Sequence, residues 1–236
     1  MGRDSLVEQF FNILISGNRR EGRAFIEKVL AAGWTGQQVV TDLIWPTLEQ
    51  IQSLYRNDQL SELAHHFATR LLRALADQVQ LHLPESDGGG RTVLLVCGPQ
   101  EPEELAGQLT CDLLESAGFE VYFAGGGVAH DEVVEQLAAL DADVLIVFGA
   151  VAETVPVTRT LIDHLHEIGT CPNLQIAVGG GVFNRADGLA EEIGADVWAG
   201  TPHEMVEVLR KHPERRMDAS QRTVGRKRRG RRSEAA

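Results

Sequence analysis

Cysteine is scarce in this chain of 236 residues: Cys97, Cys111 and Cys171, an odd number with no CxxC spacing. That excludes a disulfide framework and a structural zinc site, and it suits a reducing compartment. Cys97 closes an apolar run and reads as a small core residue. Long hydrophobic stretches are missing too; none approaches the roughly 18 residues that cross a membrane. Met1 to Ser5 do not begin a basic-then-apolar leader, and Gly2 with Ser5 misses the myristoylation spacing by one position. A soluble, cytoplasmic protein with no membrane contact is expected. Neither GxGxxG nor a P-loop with its Lys and Ser/Thr occurs. No Ser-His-Asp order or paired carboxylates stand out, so an enzyme is not expected.

Basic charge is missing from most of the chain. The net charge is -12, yet Arg210 to Arg232 carries 11 of the 22 basic residues. Before position 210, 31 acids face 11 bases, so the body stands at about -20. An acidic body is not a nucleic-acid surface. The run Gly225 to Arg232 lacks interleaved aromatics, which argues against base stacking and leaves only weak, salt-dependent phosphate contact. From His212 to Ala236 the larger apolar residues are Met217 and Val224 alone, and this segment is expected to lack structure.

What is present divides at Pro84–Arg91, a linker with a proline, three glycines and no apolar residue. Residues 4–83 carry apolar side chains at helical spacing throughout. Gly17 Asn18, Gly33 and Asn57 Asp58 separate four helices, and Pro46 predicts a kink near Leu43 to Trp45 in the third. Four amphipathic helices with short connections make a small bundle. From 92 to 211 the pattern alternates. Apolar strands at Val93–Cys97, Glu120–Phe123, Val144–Phe148, Gln175–Val178 and Val197–Trp198 are separated by helices near 102–117, 130–139, 155–168 and 187–193, with a last one near 203–211. Continuous apolar strands between helices predict a parallel sheet covered on both faces, in the doubly wound, flavodoxin-like order 2-1-3-4-5. The fold class is therefore α plus α/β.

Ligands of such sheets bind at the carboxyl edge. Three glycine groups fall there, Gly125 to Gly127, Gly149 and Gly179 to Gly181, where the missing Cβ lets a ligand approach the backbone. The turn after the first strand, Cys97 to Gly107, meets the same edge. Its acids Glu101, Glu103 and Glu104 open a helix, where negative charge suits the positive dipole end.

The order of parts, a four-helix bundle, a short linker and a five-stranded α/β domain, resembles the cobalamin-binding modules of methionine synthase, corrinoid methyl carriers and light-sensing repressors. Leu113 to Val121 looks like that family's passage into the second strand, Val178 Gly179 Gly180 like its double glycine, and Ile193 to Asp196 like its approach to the fifth strand. Ile51 to Thr69 looks like the helix-loop-helix over the upper corrin face. The family's first turn reads Asp-x-His-x-x-Gly, with the histidine as lower cobalt ligand. Aligned on Gly107, this chain has Pro102 for the aspartate and Glu104 for the histidine, and Gly149 Ala150 Val151 replaces a Ser-x-Leu pair. Imidazole is a good cobalt ligand and carboxylate a harder one. In the upper motif Tyr55, His65 and His66 stand where light-sensing members carry Trp and Glu-His.

By this resemblance the cofactor is cobalamin, with haem as a variant, since related regulators include haem binders. The implied contacts are Tyr55, Glu104, Gly107, Gly125, Gly149, Val151, Gly179 and Gly180, with His66 or His65 above the metal. The leading expectation is a non-enzymatic sensor or regulator with a tetrapyrrole ligand and a protein partner such as a transcriptional regulator. A degenerate, cofactor-free interaction module and a corrinoid methyl-carrier subunit are the alternatives. A homodimer through an exposed bundle face is compatible with each.

Overall fold

The computed structural model describes residues 3–86 and 89–217. Helices α1 (Arg3–Ser16), α2 (Arg19–Ala31), α3 (Gly36–Val39), α4 (Trp45–Arg56) and α5 (Glu62–Gln80) build the bundle. Their starts are written in side chains. Asn18, Thr35 and Ser61 each accept a hydrogen bond from the backbone N–H three residues on, satisfying a donor that the first turn leaves free. Between α3 and α4 the chain passes without a break through a π-helical segment, Val40–Ile44. This is the irregularity that Pro46 demands. Proline lacks the N–H that would bond the carbonyl of Asp42. Arg3 replaces it, its Nε donating to that carbonyl at 3.3 Å and its guanidinium pairing with the Asp42 carboxylate at 3.0 Å.

The second part holds strands β1 (Thr92–Cys97), β2 (Glu120–Gly126), β3 (Val144–Phe148), β4 (Gln175–Gly179) and β5 (Val197–Ala199). All pair in parallel, in the order β2-β1-β3-β4-β5 expected from the sequence. Helices α6 (Glu101–Ser116), α7 (His130–Leu140), α8 (Thr154–Ile168), α10 (Leu189–Ile193) and α11 (Pro202–Lys211) connect and follow them. A short helix not foreseen, α9 (Gly181–Arg185), leaves directly from the double glycine. In β2 the register skips Ala124, so that Leu95 faces Phe123 but Val96 faces Gly125. This bulge turns the end of the edge strand away from the ladder at the carboxyl edge.

Alternation along the strands gives the sheet two cores. Leu95, Cys97, Ile146 and Phe148 point toward α6 and α11, and that core runs on without a gap into the bundle, through Leu72, Ile51 and Phe10. Leu94, Val96, Leu145 and Val147 point to the opposite face, under α7 and α8. The bundle therefore covers one face of the sheet only.

The segment from His212 does not begin without structure. Gln175, fully buried, donates to the carbonyls of His212 and Arg215 at 2.8 and 3.0 Å, and Asp196 accepts from the N–H of Met217 at 2.5 Å. The sequence signal missed these contacts because they use backbone groups, which side-chain patterning does not encode. The basic run Gly225 to Arg232 lies outside the described residues.

Candidate functional site

The turn after β1 is organised by one residue that the sequence did not single out. Gln100 caps α6 and forms a capping box with Glu103. The Glu103 side chain is completely buried. Its Oε1 accepts from the N–H of Ala150 at 2.6 Å, the hydroxyl of Thr154 at 2.9 Å and the N–H of Val151 at 3.4 Å; Oε2 accepts from the N–H of Gln100 at 3.3 Å. A buried carboxylate is tolerable when it collects donors in this way. A Cβ on Gly98 would stand 2.0 Å from Oε2, so glycine is required beneath it. Glu103 thus ties the β1–α6 turn to the β3–α8 loop across the switch point of the sheet.

Glu104, one residue on, faces the other way. It is partly exposed and pairs with Arg73 of α5 at 3.2 Å, latching bundle to α/β domain. Its Oε1 lies 3.9 Å from where a Cβ on Gly125 would stand. Gly107 is buried inside α6, where a Cβ would meet Leu95 and Phe123 at 3.1 Å. Its glycine serves helix-on-sheet packing rather than a crevice wall, which corrects its place among the expected ligand contacts. Burial, and then the charges of Glu104 and Glu103, push the Cys97 thiol up to about 12, so it stays neutral as a core residue should.

Two hollows flank this turn, one on each sheet face. On the α7–α8 face a cavity of about 400 Å³ has an apolar floor of Val96, Val133, Val147, Val157 and Leu161, with Gly125, Val151, His130 and Glu153 around it. On the bundle face a narrower cleft of about 160 Å³ lies between α4, through Trp45, Glu49, Gln52 and Arg56, and the ends of β3 and β4, through Ala150, Gly180, Gly181, Asn184 and Arg185. The expected contacts are therefore divided. Gly125 and Val151 belong to the first hollow and Gly180 to the second.

The space beside the double glycine is largely taken. A Cβ on Gly179 would meet the Phe148 ring at 2.9 Å, and one on Gly180 the carbonyl of Gly149 at 2.3 Å. Gly149 is hemmed in by Thr154 and Val182. These three glycines let β3 and β4 close on each other.

In the bundle Tyr55 stacks on His65, ring centroids 3.9 Å apart and planes 13° from parallel. Burial lowers the pKa of His65, with His66 adding to it, which favours the neutral ring. Its Nε2 is 3.1 Å from the amide nitrogen of Gln52. As that amide donates, Nε2 accepts, and the ring proton sits on Nδ1, which is buried without a partner. His65 accordingly offers no free lone pair to a metal. His66 is exposed and tilted 49° from it, with centroids 6.0 Å apart, so the two do not converge. Among the described residues no three His, Cys, Asp or Glu side chains gather into a metal site.

Whether these residues fit a corrinoid has two answers. Trp45 Nε1, His65 Nδ1 and Arg73 Nε are buried without a partner in the protein, a costly state, and Trp45 borders the bundle-face cleft; a ligand rich in amide carbonyls would relieve such donors. That fits the rim of the ring. A protein lower ligand does not fit: Glu104, at the position of that ligand, is engaged by Arg73.

Known proteins place the chain. It is 23% identical over 208 residues to dimethylamine corrinoid protein 1 of Methanosarcina acetivorans, covering 87% of this chain and 96% of that one. Dimethylamine corrinoid protein 3 of Methanosarcina mazei is 28% identical over 126 residues, 52% of this chain and 74% of that protein. The monomethylamine corrinoid protein of Methanosarcina barkeri shares the fold with a TM-score of 0.76 at 18% identity, over 89% of this chain and 99% of that one. Residues 91–210 match the model of the B12 binding domain, half of the chain. The chain belongs to the B12 binding domain family, whose cofactor is cobalamin.

Proposed function

We propose that this protein is a corrinoid-binding carrier subunit of a methyl-transfer system, not itself catalytic, whose corrin lies over the carboxyl edge beneath the α4–α5 corner. The orphaned donors Trp45 Nε1 and His65 Nδ1 carry this reading, because buried donors without acceptors call for a ligand on the cap side. The likeness to a corrinoid protein over 87% of this chain and 96% of that one supports it. A bound corrinoid supplies a cobalt centre that can accept and pass on a methyl group. The protein's own residues do the rest. Trp45 and His65 would donate to the amide-bearing rim of the ring. Tyr55 and Leu63, exposed at the α4–α5 corner, would keep water from the bound cofactor or meet the partner that delivers the methyl group. Arg73 and Glu104 hold cap and α/β domain together. The relatives named above lend no support to the sensory role, to a transcriptional partner or to nucleic-acid contact. Among the described residues no helix is long and apolar enough to cross a membrane.

A cofactor-free interaction module is the competing reading, favoured by the filled glycine turn. Gel filtration with hydroxocobalamin, and separately with haem, decides between them. The proposal expects one corrinoid to co-elute per chain with altered visible bands and haem to pass unbound. Elution of the protein free of corrinoid defeats it. Carrier and sensor part on a second measurement: methyl label on bound methylcobalamin should reach a thiol acceptor when a methylcobalamin-dependent methyltransferase is added.

A further inference from the structure

The bundle-face cleft contains a feature that neither the lost lower ligand nor the glycines explain. Two guanidinium groups line it from opposite walls: Arg56 at the carboxyl end of α4, and Arg185 at the end of α9. Among the described residues neither forms an ion pair within 4.0 Å, and Arg56 makes no hydrogen bond. Arg185 is held in place, Nη2 donating to the carbonyl of Ala150 at 2.7 Å and Nη1 lying 2.7 Å from where a Cβ on Gly181 would stand. The acid that lines the cleft, Glu49, lies within reach of the Arg56 charge. Burial first, and then Glu204, push its carboxyl up, and Arg56 acts against that rise.

Two guanidinium groups face this cleft against the single carboxyl of Glu49, which leaves one positive charge for an incoming anion to answer. Arginine suits that task through its planar, two-pronged donors, which match phosphate oxygens. Arg56 also depresses the pKa of Arg185, after burial, as unpaired neighbours do. Cobalamin carries one anionic substituent, the phosphodiester of its nucleotide loop; its other side chains are neutral amides. The cleft opens beside the double glycine and spans cap and sheet, so an anion bound there contacts both parts of the protein.

We infer that Arg56 and Arg185 form a clamp for the phosphodiester of the corrinoid's nucleotide loop, anchoring the cofactor by charge where a protein lower ligand is lacking. This rests on the corrinoid-carrier reading above and names how that ligand is held. An ion pair of this kind makes affinity salt-dependent.

The experiment compares cobalamin with cobinamide, which lacks the nucleotide and its phosphate, by equilibrium binding to the full chain. The wild type should hold cobalamin about tenfold tighter than cobinamide, in line with loss of a charge-assisted contact. Arg56→Gln and Arg185→Gln should each remove most of that preference and leave cobinamide binding unchanged. Arg185→Lys, which keeps the charge, should recover part of it. Arg56→Gln is the decisive variant, since Arg56 has no hydrogen bond in the protein to lose and should unfold at the wild-type temperature. Equal affinity of the wild type for the two corrinoids overturns the clamp while the carrier reading stands. So does an equal loss of both in the variants. Tight binding of inorganic phosphate alone that depends on both arginines overturns it in favour of a free-anion site. Failure of either corrinoid to bind at all defeats the carrier reading first, and the clamp with it.

Discussion

Helix α6 buries a carboxylate near each end, and the two ends obey opposite rules. In the first turn Glu103 is fully buried and answered by three backbone N–H groups and one hydroxyl. It also sits at the positive end of the helix dipole. Toward the other end Asp112 is 5% exposed and lies near Glu115 and Asp77; burial, then these charges, raise its pKa to about 7. It is also on the wrong half of the dipole for a negative charge. The same chemical group is therefore a strut at one end of the helix and a liability at the other. The difference lies in the donors supplied by the β3–α8 loop, not in burial.

The largest expected effect removes the strut. Glu103→Ala would leave the donors of Ala150, Val151 and Thr154 facing an empty space under the sheet edge, a loss on the order of 3 kcal/mol of stability. Glu103→Gln, which keeps one acceptor oxygen, should recover part. Urea denaturation checks both, and a Glu103→Ala protein as stable as wild type would dissolve the contrast. Asp112→Asn tests the liability and should act with opposite sign, stabilising by on the order of 2 kcal/mol at pH 8. The pH dependence follows from linkage. In the folded chain Asp112 keeps its proton up to about pH 7, whereas an unfolded chain releases it near the ordinary carboxyl value. Its contribution is therefore favourable at low pH and is lost as pH rises through about 7. The gain from Asp112→Asn should shrink toward zero on acidification to about pH 4, measured as the difference in melting temperature across the pH range.

Strand order was legible because buried parallel strands are written as uninterrupted apolar runs, such as Val144 to Phe148, and because their spacing leaves room for one crossover helix each. The kink at Pro46 was legible for a local reason, a missing donor. The site was less so. Glu101, Glu103 and Glu104 look alike at the start of a helix; only the fold decides that position 103 turns under β3 while position 104 turns toward Arg73. A capping pattern from Gln100 to Glu103 was the one available hint. Gly107, Gly149 and Gly179 were read as open to a ligand, yet Leu95, Phe123, Thr154 and Phe148 fill the space at them. A glycine in sequence marks close approach without saying of what. Arg56 and Arg185 are 129 positions apart, a juxtaposition that no local pattern encodes.

The third position on the same turn, Glu104, gives the smallest change in stability and the most informative change in binding. Its ion pair with Arg73 is partly exposed on both sides, so its loss should cost only about 0.5 kcal/mol. Glu104→His places an imidazole, a better cobalt ligand than carboxylate, at the position where the resemblance puts the lower ligand. If the cap can shift enough to admit the cofactor, corrinoid affinity should rise about tenfold, read by equilibrium binding, without a matching change in melting temperature. The gain should appear for cobinamide as well as for cobalamin, because it acts on the metal rather than on the phosphate. An affinity unchanged by Glu104→His would mean that the first turn, pinned by Glu103 to the β3–α8 loop, cannot swing its side chain beneath the ring. The strut at position 103 would then be what sets the mode of binding, and loosening it with Glu103→Gln in the Glu104→His background should restore the gain.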